Sequence, residues 1–194
     1  MDDPPSMTAP APPPKEDRSV SMGQANLWAI LGLGPLIAGL LGAFLALHGW
    51  RPLYAVTDAA FGAPLVPLLA FVAGVVVHEA LHALAWKLAS DLPWGEIRLG
   101  FQWKTLTPYA HARAPMTARA YRIGAAAPGV VLGLAPAAAG LATGGGGWML
   151  FGLLFTLAAG GDALILWLLR GVAPRRLVED HPERAGCYVG ADEG

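Results

Sequence analysis

Four stretches of the chain are apolar almost without interruption, running roughly from Leu27 to Leu47, Phe61 to Trp86, Ile123 to Ala142 and Trp148 to Leu169. A helix needs about 20 such residues to cross a bilayer. The pattern therefore predicts an all-α membrane protein, a four-transmembrane-helix bundle occupying residues 25–172. Polar sequence lies outside and between these stretches. Residues 1–24, MDDPPSMTAPAPPPKEDRSVSMGQ, have the proline, serine and charge content of a disordered tail and no apolar core of a cleaved signal, so the first span is expected to be an uncleaved anchor. Residues 173–194 read as a second tail. The remaining polar segment, Ser90 to Arg122, contains GEIRLGFQW, which alternates as a strand does, and KTLTPYAHA, which can supply its partner in a β-hairpin.

Composition agrees with a membrane protein. Of 194 residues 55% are hydrophobic and 14% charged, with a mean hydropathy of +0.47. A net charge of -1 gives no case for nucleic acid as a partner. The placement of the positive residues says more. Lys15 and Arg18 precede the first span; Lys87, Arg98, Lys104, Arg113, Arg119 and Arg122 lie near or between the second and third; Arg170, Arg175, Arg176 and Arg184 follow the fourth. The other two connections carry only Arg51 and the uncharged Thr143 to Gly147. Basic residues stay on the cytoplasmic side, so both termini and the central loop are expected there. The single cysteine, Cys187, excludes an internal disulfide and a cysteine-rich zinc site without fixing the redox compartment.

Inside the second span, AGVVVHEALHALAWKLA places two histidines and a glutamate in an apolar run. An ionisable group at the centre of a membrane helix costs roughly 2.5–3.5 kcal/mol on insertion scales. His78 and His82, four residues apart, share one helix face and can present two imidazoles to one metal ion, with Glu79 beside them facing the water such an ion holds. Zinc takes neutral imidazole and favours a nearby carboxylate, which offsets the cost of all three groups. The competing reading is a buried helix that uses them for interhelical hydrogen bonds.

A catalytic zinc usually has three protein ligands. Beyond the HEALH helix the only acidic residue in a predicted span is Asp162, in LAAGGDALILWLL. His78 lies nine residues before Lys87 and Asp162 eight before Arg170, on spans running the same way. Both are therefore about 12–13 Å from their basic ends at 1.5 Å per residue. Gly160 and Gly161 just before Asp162 permit close helix approach. The alternative is an aspartate bonded to a neighbouring helix.

Among the other histidines, His48 falls at the outer end of the first span beside Trp50, an interfacial place, and His181 lies in a charged, solvated tail. His111, just before the third span, either polarises a substrate carbonyl or is an ordinary loop residue. The hairpin either holds an extended peptide substrate by strand addition or only covers the cytoplasmic face. Pro128 and Pro136 can kink the third span into a water route, or reflect irregular packing, in either case where a neighbour satisfies the freed carbonyl. The tryptophans suit interface anchoring and packing.

HEALH, the segment GFQWKTLTPYAHARAPMTARAYRIGAAAPGVVLG and the later GGDALILWLLR together resemble the bacterial putative zincin peptidase family of small four-span membrane proteins, over roughly Phe71 to Val189. In arrangement the chain is also similar to the site-2 protease class, which pairs an HExxH helix with an aspartate on a later one, although here Gly160-Gly161 stand where that class has an asparagine-proline pair. The resemblance implies zinc on His78, His82 and Asp162, Glu79 as catalytic base, and a bacterial inner membrane as the location. It implies a membrane-embedded zinc endopeptidase acting on membrane or membrane-associated proteins. The alternative is a non-catalytic metal-binding membrane protein, an assembly factor or regulator. Substrate, trigger and oligomeric state are not encoded in any motif.

Overall fold

The computed structural model describes residues 15–103, 107–181 and 184–190. Helix α1 (Met22–His48) starts at a capping box, in which the Ser21 side chain accepts from the Gln24 N–H and the Gln24 side chain from the Ser21 N–H. It stops at Gly49, whose φ of 70° suits a residue without Cβ. A short helix, α2 (Arg51–Gly62), follows, with proline in its first turn. Helix α3 (Leu65–Ala89) begins only after Ala63 and Pro64, because the residue before a proline is pushed out of helical geometry. The expected second span from Phe61 is thus divided, with Phe61 at the end of α2.

The next helix, α4 (Ala118–Pro128), is capped by the Thr117 hydroxyl, which accepts from the Ala120 N–H. It passes into a π-helical stretch, Gly129–Leu134, and then α5 (Ala135–Thr143). Pro128 and Pro136 flank this π segment, and Ala118–Thr143 continues as one apolar stretch of 26 residues rather than breaking at either proline. Helices α6 (Gly146–Ala158) and α7 (Gly160–Leu168) meet at a 47° bend.

Three stretches, Gly23–His48, Leu65–Ala89 and Ala118–Thr143, are long and apolar enough to cross a membrane, and α6 with α7 passes the same test as a bent pair. The outer faces of α1 and α3 carry exposed Leu27, Trp28, Ile30, Leu65, Leu69 and Val76. So large an apolar surface suits hydrocarbon better than water.

The molecule is mostly helical but not all-α. β1 (Glu16–Val20), β4 (Met116–Thr117), β5 (Leu177–Asp180) and β6 (Ala185–Val189) form an antiparallel sheet in the order β1-β6-β5-β4. Residues 1–14 of the expected disordered tail lie outside the described residues; from Glu16 that segment is ordered. Its strand is held against β6, where a Cβ at Gly186 (φ 137°) would collide with the Arg18 carbonyl. The C-terminal segment is likewise no free tail. Val178, Cys187 and Val189 turn inward and join Trp86, Met116 and Tyr121 in one buried core. Burial pushes the Cys187 thiol up to about 12, so the residue is an inert packing group. The sheet brings together segments that precede α1, follow α3 and follow α7.

The expected hairpin is present: β2 (Ile97–Gln102) pairs antiparallel with β3 (Thr107–Ala112), with Leu99 opposite Ala110 and Arg98 opposite His111. It packs on α3.

Candidate metal centre

Helix α3 presents residues 74, 78, 82 and 86 to its neighbours at a spacing of four. Gly74 admits the ring of Phe155 from α6, where a Cβ would collide. The rings of His78 and His82 meet edge to face at 4.9 Å, His82 stacks on Trp86 at 5.6 Å, and Trp86 stacks on Tyr121 of α4 at 5.8 Å. Both histidines are buried.

Asp162, in the first turn of α7, faces this stripe. One carboxylate oxygen lies 3.2 Å from His78 Nε2 and the other 3.3 Å from His82 Nε2. One ligand atom from each of the three residues can be chosen so that all lie within 4.8 Å of one another. Two atoms each bound to a tetrahedral zinc at about 2.0–2.1 Å stand roughly 3.3 Å apart, so both nitrogen–oxygen separations match that requirement. The donor chemistry, two imidazoles and a carboxylate, is also that of zinc. His82 Nδ1 is 2.9 Å from the Gly124 carbonyl oxygen. A carbonyl only accepts, so Nδ1 carries a proton, and Nε2, the nitrogen that faces Asp162, is the one that could bind a metal. His78 Nδ1 is buried with no such partner among the described residues. The residues fit a zinc ion.

The two glycines before Asp162 act differently from each other. A Cβ on Gly160 would strike Ala29 of α1, so this glycine seats α7 on α1 rather than on α3. Gly161 has open space around its Cβ position and lines the site cavity.

That cavity has a volume of about 250 Å³ and is lined by His78, Glu79, His82, Tyr121, Asp162 and Asp180 among others. Glu79 Oε2 accepts the Ala110 N–H of β3 at 2.7 Å. On the same edge of β3, the Ala112 N–H donates to Asp180 Oδ2 at 3.1 Å. Position 108, between β3's start and these donors, is a proline and donates nothing. Asp180 also accepts from the Tyr121 hydroxyl, and His111 Nδ1 lies 3.0 Å from its Oδ2. His111 is therefore on a strand rather than in a loop, and Asp180 raises its pKa above the ordinary imidazole range. It is not among the residues lining the cavity.

His48 donates from Nε2 to the Leu141 carbonyl at 2.8 Å, tying α1 to α5, and His181 stacks on Tyr188. Neither lines the cavity beside His78, His82 and Asp162. Sequence reasoning missed Asp180, Tyr121 and Gly124. Asp180 sits in VEDHPERAG, whose charges read as solvent-facing; the signal available was the apolar pair Leu177-Val178 followed closely by AGCYV, a short two-strand pattern.

A buried pair of histidines at helical spacing and an aspartate on a second apolar helix, with a glutamate beside them, form a group that could hold a metal ion in a mostly helical, apolar chain. The chain belongs to the family described as putative zincin peptidase, which matches residues 71–176. No curated protein and no solved structure matches it.

Proposed function

We propose that this chain is a membrane-embedded zinc endopeptidase that cuts membrane or membrane-associated proteins, with His78, His82 and Asp162 holding the ion and Glu79 serving as base. The observation that carries the reading is the convergence of the two Nε2 atoms on the Asp162 carboxylate at 3.2 and 3.3 Å, at the wall of a cavity that Glu79 also lines. When bound, zinc supplies Lewis acidity, which acidifies a water and polarises a carbonyl oxygen. Glu79 takes a proton from the water as its oxygen bonds to the peptide carbon. It then gives that proton to the amide nitrogen as the C–N bond breaks. His82, fixed by the Gly124 carbonyl, keeps Nε2 available throughout.

The Glu79–Ala110 bond bears on how a peptide is held. Glu79 holds the Ala110 N–H through Oε2 alone, which leaves Oε1 to act as base; a swing of the carboxylate off this N–H would free the donor for a substrate carbonyl. An extended peptide laid along β3 would gain this bond, a local form of strand addition.

Family membership supports the peptidase reading, and the apolar faces of α1 and α3 support embedding in a bilayer. Counting α6 with α7 as one bent span makes four. Strands β1, β4, β5 and β6 at one end of the bundle then support both termini on the side of the central loop, the cytoplasmic side of a bacterial inner membrane by the basic residues. A metal-holding protein without catalysis is the second reading, and the engagement of Glu79 by Ala110 is the observation in its favour.

The experiment is zinc analysis of the purified protein combined with comparison of membrane proteomes carrying wild-type or Glu79→Gln chains. Stoichiometric zinc in both, with proteins that persist uncut only in the variant, is expected. Zinc in both with identical proteomes would leave the non-catalytic reading, and no zinc in either would remove both.

A further inference from the structure

The His82 orienting bond has an unusual acceptor, a main-chain carbonyl in the middle of a helix. In a regular α-helix the Gly124 carbonyl would be taken by the N–H four residues on. That residue is Pro128, which has none. The next donor does not turn back either, since the Gly129 N–H bonds the Ala126 carbonyl. We propose that Pro128 is a positioning residue of the metal centre: by withholding an N–H from the Gly124 carbonyl it leaves that oxygen to His82 Nδ1–H and fixes which imidazole nitrogen faces Asp162.

Three further features agree with this assignment. Pro128 is fully buried, so its ring is not an accident of an exposed turn. Gly124 leaves no room for a side chain, because a Cβ would collide with the Trp86 indole nitrogen, and the same indole stacks on His82. The carbonyl and the ring that fix His82 are thus brought to it by one close contact between α3 and α4. The helix downstream of Pro128 widens into the π segment, which lets it absorb the lost bond without a sharp break. A freed carbonyl in an apolar environment needs a donor, and a ligand histidine needs an acceptor to hold its tautomer. Each requirement answers the other.

The inference rests on the metal-site reading for its consequence, and its test separates the two. Full-length protein in detergent is compared as wild type, as Pro128→Ala, and with lactic acid at position 128, which has the alanine methyl but an ester oxygen in place of N–H. Competition with a zinc chelator reads affinity, and ¹⁵N signals of the His82 ring in metal-free protein, recorded at alkaline pH where the ring is neutral, read the tautomer. Pro128→Ala is expected to bind zinc about 10–100-fold more weakly, the usual cost of losing an outer partner of a ligand histidine, and to show a mixture of His82 tautomers. The lactate form, lacking the competing donor, is expected to recover wild-type behaviour in both. A Pro128→Ala chain with wild-type affinity and one tautomer would overturn the proposal, as would a lactate form as impaired as the alanine. Wild-type protein that takes up no zinc would refute the metal reading, while the metal-free ring signals would still decide whether Pro128 holds His82.

Discussion

At the scale of single residues, the roles proposed for Glu79 and for His78, His82 and Asp162 separate by experiment. Glu79→Gln keeps the shape of the side chain and removes the base, so zinc content is expected to stay while cleavage falls by about 10²–10⁴. His78→Ala and His82→Ala are expected to lose both. Asp162→Asn replaces a carboxylate with a neutral amide, and chelator competition should find weaker zinc with the fold intact by circular dichroism. A second prediction concerns His111, which lies outside the apolar helices. Its hydrogen bond to Asp180 raises its pKa, against opposing contributions from partial burial and from Arg113. A raised histidine value means that the native chain binds the proton more tightly than the unfolded one. The stabilisation is complete below the unfolded value of about 6.5 and is lost as pH rises through the higher folded value. Melting temperatures measured across that range are expected to fall more in wild type than in His111→Gln. Equal slopes would mean that the contact contributes nothing.

At the scale of elements, α7 carries Asp162 to its place through a contact on its other side. Gly160→Val is expected to push α7 away from Ala29 and to lower zinc affinity without altering any metal-facing residue, whereas Gly161→Ala enters open space and should leave affinity unchanged. Loss of affinity in both would point to backbone flexibility instead of packing. The start of α4 gives a simpler expectation. Thr117→Ala removes the cap on the Ala120 N–H, and denaturant unfolding should register about 1 kcal/mol, within the usual range of roughly 0.5–2. The C-terminal end of α7 is closed differently, by Arg122 bonding the Leu169 and Val172 carbonyls and Arg18 bonding that of Leu168 at 2.9 Å. Strand β1 thereby reaches the helix that bears Asp162, a link no local pattern announces.

At the scale of the whole molecule, the sheet of β1, β4, β5 and β6 requires its three parent segments to be on one side of any membrane the helices cross. Reporters placed at Gly146 and near Asp58 are expected to signal from the exterior, and those in the Ser90 to Arg122 loop and after Arg176 from the cytoplasm. A reporter in the central loop that signalled from outside would contradict the charge rule, and one that signalled from the side opposite to the C-terminal reporter would contradict the sheet.

Apolar runs, helix breakers and the HEALH spacing are local properties, so the sequence by itself determined the main helices, the face shared by His78 and His82, the β2–β3 hairpin and Asp162 as the acidic candidate on another apolar helix. Local pattern could not assign the tails, because strands of four or five residues bury their inward positions only when distant segments supply partners. Nor could it tell Gly160 from Gly161, whose different roles depend on which helix lies opposite. The tertiary structure alone decided that Asp180 joins Tyr121 and His111 beside the cavity, that Ala110 meets Glu79, and that the carbonyl released by Pro128 faces His82. Each is a pairing of polar groups from separate elements, and in an apolar interior such groups are satisfied by whatever the packing brings within hydrogen-bond reach.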